Sequence, residues 1–140
     1  MGFNIDRLAE TLLRRMPDAV VYSDAEGLIR FWNEGAERTF GFQAAEAQGH
    51  SLDLIIPDSL RKRHWAGYDH TMRTGETRYG AGDLLSVPAV RKDGTRISVE
   101  FPVVPFQDEA GRIVGIAAVM RDVTARFEEM KALRRQATGR

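Results

Sequence analysis

Residues 91–126 read RKDGTRISVEFPVVPFQDEAGRIVGIAAVMRDVTAR, and their punctuation decides the fold class. Asp93-Gly94, set between runs rich in Val, Ile and Phe, is a strong short-range hairpin signal, because glycine takes the positive φ that a tight turn needs. The stretch QDEAGR carries Asp and Gly again and marks a second turn. The spacing predicts three strands, roughly Tyr79 to Arg91, Ile97 to Phe106 and Ile113 to Arg121. Strands joined by turns this short pair antiparallel, since a parallel return needs a crossover of a dozen or more residues.

Toward the N-terminus, AVVYS (19–23) and LIRFWN (28–33) are two more β-type runs, joined by the turn DAEG. Asn33 is placed to cap a short helix, EGAERTFG, closed by Gly41. QAAEAQG and SLDLI read as brief helical turns, and Pro57 opens a longer helix that runs to about Thr74, with Gly75 as its stop. Asn4 caps a first helix in which Ile5, Leu8, Leu12 and Met16 recur at helical spacing until Pro17 ends it. About three turns is marginal for a helix with nothing to pack against, so that stripe needs the domain or a partner copy. A last helix starts near Thr124 and carries Phe127, Met130 and Leu133. Strands in two groups around a block of helices point to an α+β fold. The helices between the second and third strands are the cover for one sheet face, and any internal cavity lies between them and the sheet.

At 140 residues, 43% apolar and 29% charged, the chain suits one domain with a real core. Twenty Lys and Arg balance twenty Asp and Glu, so no net field draws it to nucleic acid or an anionic membrane. The closing RRQATGR reads as a solvated helix end. The absence of cysteine removes disulfides, thiolate metal sites and any cofactor tethered through sulfur. No apolar run is long enough to span a membrane, and MGFNIDRLAE lacks a signal-peptide core, which makes a soluble cytoplasmic protein the expectation. MGFNID is also a poor myristoylation site, its sixth residue being Asp. No catalytic motif is present, and Glu34, Glu37, Asp53 and Asp58 are scattered as caps and surface, so no enzyme is expected.

One helix is chemically informative. On a wheel for residues 57–74, Leu60, His64, Tyr68, Thr71 and Met72 share one face, while Lys62, Asp69, His70 and Arg73 lie on or toward the other. A buried neutral imidazole with a free nitrogen is a ready iron ligand, and walls supplied by Val87, Val99, Phe101, Val103, Ile116, Ala118 and Met120 suit a porphyrin. The competing reading is a hydrogen-bonded core histidine. Trp32 or Trp65 stacking on a non-covalent flavin, or simply packing in the core, is a further alternative.

MPDAVVYSDAEGLIRFWNEGAERTFGF (16–42) together with the quoted stretch resembles the PAS sensor domains over roughly residues 10–127. The resemblance implies a five-stranded antiparallel sheet of order 2-1-5-4-3, with short helices over a ligand pocket. It divides the chain into an N-terminal dimer-contact helix (1–16), a PAS core (17–122) and a C-terminal signalling helix (123–140). Asp122-Val123-Thr124 resembles the triplet joining the last strand to that helix. Thr124 is the expected cap and Asp122 the expected bond back to the sheet.

Within that family, IIPDSLRKRHWAGYDH (55–70) looks like the helix of the haem-binding, FixL-like subgroup, and His64 falls on its proximal iron ligand. That implies haem b, with His70, Arg73 and Arg78 available to the propionates and Tyr68 and Met72 beside the ring. Where oxygen sensors of this type carry a distal Arg, this chain has Leu85, and where relatives place a Met ligand it has Asp83. An apolar distal side favours CO or NO, or a redox signal, unless Asp83, Tyr79 or Arg78 supplies polar contact for O2. The expected partners are a second copy, the diatomic gas, and a downstream signalling protein or fused output domain. The alternatives are a cofactor-free dimerisation module and a sensor of non-covalent flavin or another small ligand. A cysteine-linked chromophore is ruled out.

Overall fold

The computed structural model describes residues 2–76 and 84–138. Asn4 opens the first helix, α1 (Ile5–Arg15), by accepting a hydrogen bond from the Arg7 amide at 3.1 Å. Ile5, Leu8 and Leu12 remain exposed and no residue of α1 is buried, so this domain leaves the helix's apolar stripe uncovered. Strands β1 (Ala19–Asp24) and β2 (Ile29–Trp32) form the first hairpin. The Asp24 carboxylate accepts from the Glu26 and Leu28 amides, and Gly27 takes the left-handed conformation with φ 81°.

Asn33 caps the next helix, α2 (Glu34–Phe40), by accepting from Ala36 N at 2.8 Å, and it does much more than cap. The same oxygen accepts from Val20 N at 2.8 Å, while its amide nitrogen donates to the carbonyls of Leu13 and Asp18. The end of α1, the start of β1 and the start of α2 therefore meet on one buried side chain. Helix α3 (Ala44–Ala47), 3-10 turns at Leu52–Ile55 and Asp58–Leu60, and helix α4 (Arg61–Thr74) follow. The helix expected from Pro57 thus begins as a 3-10 turn, and Gly75 ends α4 in the left-handed conformation as its sequence position suggested.

Strand β3 (Leu85–Val90) pairs with β4 (Arg96–Phe101) across the Asp93-Gly94 turn. The strand expected over 97–106 is two strands. Pro102 lacks an N–H and interrupts the ladder, so β5 (Val103–Gln107) runs on as a separate piece along β6 (Ile113–Asp122). The sheet has six strands in the order β2-β1-β6-β4-β3, with β5 pairing β6. Counting β4 and β5 as one broken strand recovers the expected 2-1-5-4-3. The start of the third strand, placed near Tyr79, lies outside the described residues, as do Arg78 and Asp83.

The register puts Ala19, Val21, Ile97, Val99, Ala118 and Met120 on one sheet face. Ala36, Phe40, Ala47, Leu52, Ile55 and Tyr68 from the helical block close over that face as a single core. At the far end, α5 (Thr124–Thr138) leaves β6. Here the expected roles of two residues exchange. Asp122 accepts from the Thr124 amide and hydroxyl, and it is Thr124 Oγ that bonds back to the sheet, accepting from Ser98 N at 2.9 Å. The Asp122 carboxylate is taken up by Thr124 at the start of α5, which leaves the Thr124 hydroxyl oxygen to accept from the sheet.

Candidate functional site

The site is built between α4 and the inner sheet face. As the helical wheel requires, Tyr68 and Thr71 are buried, Leu60, His64 and Met72 are half-buried, and Lys62, Asp69, His70 and Arg73 are exposed. His64 is thus brought to the core, whereas His70 and Arg73 lie on the solvent face of the same helix. The His64 ring meets Trp65 edge-on with centroids 4.6 Å apart and Tyr68 at 5.7 Å. Its Nδ1 is buried and has no hydrogen-bond partner among the described residues. Burial lowers the imidazole pKa, opposed by the Asp53 carboxylate nearby, so the ring is neutral at pH 7. A neutral, buried imidazole with an unused nitrogen is what a Lewis-acid ligand site requires.

Opposite α4 stands the apolar wall. Leu85 and Val87 pair with Phe101 and Val99 across β3 and β4, and Val103 pairs with Ala118 across β5 and β6. All of them, with Ile116 and Met120, share the inner face. Their burial is graded: Val99 and Met120 are sealed in the core, Phe101, Ile116 and Ala118 are half-buried against it, and Leu85 and Val103 are half-buried at its margin. Val87 is 38% exposed. The wall is therefore graded from sealed at Val99 to partly wetted on β3, and apolar surface of this kind favours an apolar ligand.

Two aromatic residues of α4 fasten it on the opposite side. Trp65 Nε1 donates to Asp53 Oδ1 at 2.7 Å, and its ring lies where a Cβ on Gly27 would come within 2.2 Å. That turn glycine is thus required twice, by its positive φ and by the indole above it. The Tyr68 hydroxyl donates to the Asp24 carbonyl at 2.5 Å, so its contact with Ser23 Oγ at 2.9 Å has the serine as donor. Burial pushes the Tyr68 phenol up to about 12, with the Ser23 hydrogen bond acting the other way.

Sequence reasoning missed Ser23, Asp53 and Gly27 as parts of this site. Ser23 had a readable signal: it follows Ala19 and Val21 at period two, so it points into the core and needs a polar partner. Nothing in the local sequence says that the partner is Tyr68. Among the described residues no group of three or more His, Cys, Asp or Glu converges as a metal cage, and no helix is long and apolar enough to cross a membrane.

Comparison with known proteins agrees with this architecture. A family described as "PAS fold" matches residues 13–128. Sensor protein FixL of Bradyrhizobium diazoefficiens is 28% identical over 128 residues, covering 87% of this chain and 25% of that protein. Oxygen sensor protein DosP of Escherichia coli K12 is 27% identical over 123 residues, covering 88% of this chain and 15% of that protein. This chain therefore spans a quarter or less of either relative. Among solved structures, the PAS domain of a Colwellia psychrerythraea protein superposes with a TM-score of 0.73 at 21% identity, covering 87% of this chain and 99% of that one. An RNA-binding light-oxygen-voltage receptor superposes at 0.77 and 21% identity over 96% of this chain and 37% of that one. At these identities the two structures speak for the fold alone.

Proposed function

Because this chain belongs to the PAS family, we propose that it is a sensor domain that holds haem b through His64 and responds to a diatomic gas, CO or NO ahead of O2, or to redox state. The observation that carries the reading is the buried Nδ1 of His64, set against an apolar wall that is partly wetted on β3. Most buried side-chain polar atoms have a hydrogen-bond partner, and this one has none among the described residues. The names of two relatives, a sensor and an oxygen sensor, support the class of function.

When bound, haem supplies an iron centre whose ligation state changes with the gas or with its oxidation state. The protein's own part is to keep the imidazole neutral and aimed, to exclude water with Met72, Val99, Phe101, Ile116, Ala118 and Met120, and to leave Leu85 and Val87 on the gas side. An apolar gas side offers no hydrogen-bond donor, which discriminates against O2 relative to CO. His70, Arg73 and Arg78 are the cations available to propionates. The first two stand on the exposed face of α4 and Arg78 lies outside the described residues, so a carboxylate would meet them at the rim. The output leaves through β4, whose Val99 and Phe101 line the wall while its Ser98 holds Thr124 at the root of α5. A second copy, and a signalling protein or fused output domain, are the partners this scheme needs.

The test is a titration of the purified protein with hemin. A sharp Soret band at one equivalent, lost in His64→Ala and sensitive to CO after reduction, supports haem on His64. A second reading, a cofactor-free dimerisation module, is favoured by the uncovered stripes Ile5, Leu8, Leu12 and Phe127, Met130, Leu133. Protein that stays colourless with hemin, or binds it equally well without His64, would decide for that reading or for a flavin or other small ligand.

A further inference from the structure

Helix α4 is poorly secured by its own sequence. Its first residue follows Leu60, which contributes no side-chain cap. Gly67 lies in its interior, at a conformational cost of about 0.5–1 kcal/mol relative to Ala, although a Cβ there would meet nothing within 4 Å. This soft point falls between His64 and Tyr68. Among the described residues, the side-chain hydrogen bonds of α4 to other elements come from three residues. Arg61 and Trp65 reach the 3-10 turn at Leu52–Ile55 and Ile56 beyond it, and Arg61 also pairs with Asp58 of the next turn at 2.7 Å. Tyr68 alone reaches the sheet, at Ser23 and Asp24. Ser23 is 3% exposed and pairs with Ile116 in the register of β1 and β6, so the anchor point is on the inner sheet face, beside the wall itself.

We propose that Tyr68 is the positioning residue for His64. Its hydroxyl ties the turn after the imidazole to β1 and thereby sets how far that imidazole stands from the apolar wall. The role toward iron rests on the haem reading above, whereas the anchoring of α4 does not. Tyr68→Phe keeps the ring, its packing against Trp65 at 5.2 Å and the apolar face, and removes only the tie.

Amide hydrogen exchange of the protein without added hemin tests the anchor. In Tyr68→Phe the α4 amides are expected to exchange about thirty-fold faster, the worth of the two hydrogen bonds lost at about 1 kcal/mol each, beyond any change common to the whole domain. Ser23→Ala should act in the same direction, and the double variant should be no faster than Tyr68→Phe alone, because both remove one shared contact. Hemin-loaded protein supplies the second readout. Tyr68→Phe is expected to retain the Soret band but to lose hemin to an excess of apomyoglobin several-fold faster, with broadened iron–histidine vibrational bands. Exchange that rises uniformly through the domain, or an unchanged α4, overturns the anchor. Normal α4 acceleration with unchanged hemin transfer and bands overturns the positioning role. Wild-type protein that takes up no hemin sinks the haem reading instead, and the exchange comparison then decides the anchor by itself.

Discussion

Replacing His64 with leucine should make the hemin-free domain more stable, which is an unusual expectation for a buried site. The orphaned Nδ1 costs about 1–3 kcal/mol as an unsatisfied buried polar atom, and Leu removes it. Against this stands the edge contact with Trp65 at 4.6 Å, worth about 0.5–1.5 kcal/mol beyond area. The net gain is about 1 kcal/mol, or about 3 °C in Tm for a domain of this size. Urea melts followed by tryptophan fluorescence, at one protein concentration and pH 7.5, measure it. The pH dependence has a definite sign. Burial depresses the folded imidazole pKa, so below about 6.5 the unfolded state binds the extra proton and wild-type stability falls as pH falls. By pH 5.5 this loss approaches about 1.4 kcal/mol at most, reduced by the Asp53 carboxylate, and His64→Leu should not show it. A His64→Leu protein less stable than wild type by about 1 kcal/mol at pH 7.5 would mean that the imidazole is satisfied in the core, and the ligand argument would lose its footing.

Three other outcomes are expected. Asn33→Ala strips the acceptor from the buried Val20 and Ala36 amides and should cost about 2–5 kcal/mol in the same melts; a loss under about 1 kcal/mol would show that water replaces the side chain easily. Tyr68, with its phenol raised to about 12, stays neutral when folded while the unfolded phenol ionises near 10, so stability should drain away as pH rises from about 10 to 12. Tyr68→Phe should flatten that alkaline limb in a pH series of thermal melts, and an identical limb would refute the assignment. Leu8→Glu with Leu12→Glu should convert a dimer to monomer in sedimentation velocity without changing far-UV circular dichroism, and an unaltered profile would free α1 from the interface.

Much of this molecule is legible from short-range rules. Asp93-Gly94 and the DAEG turn announce their hairpins, Asn4 and Asn33 their helices, and the 3.6-residue period of 57–74 places His64 and Tyr68 inward and His70 and Arg73 outward, as observed. These succeed because turn dihedrals, caps and periodicity involve residues a few positions apart. Pro102 was visible too, but its effect was not. A missing N–H matters only where a neighbouring strand would have used it, and that depends on β6 lying alongside.

Local rules settle most of the elements, their antiparallel linkage and the face on which each side chain stands. Which groups meet is settled by packing. Tyr68 and Ser23 are 45 residues apart, Asn33 gathers carbonyls from the far end of α1, and Thr124 takes the sheet contact expected of Asp122. The physical reason is the same in each case. A buried polar group must find a partner, but the requirement fixes only that one exists, and the choice falls to whatever donor or acceptor the packed chain delivers within about 3 Å. For His64 Nδ1 the described residues deliver none, and the functional reading rests on that unused nitrogen.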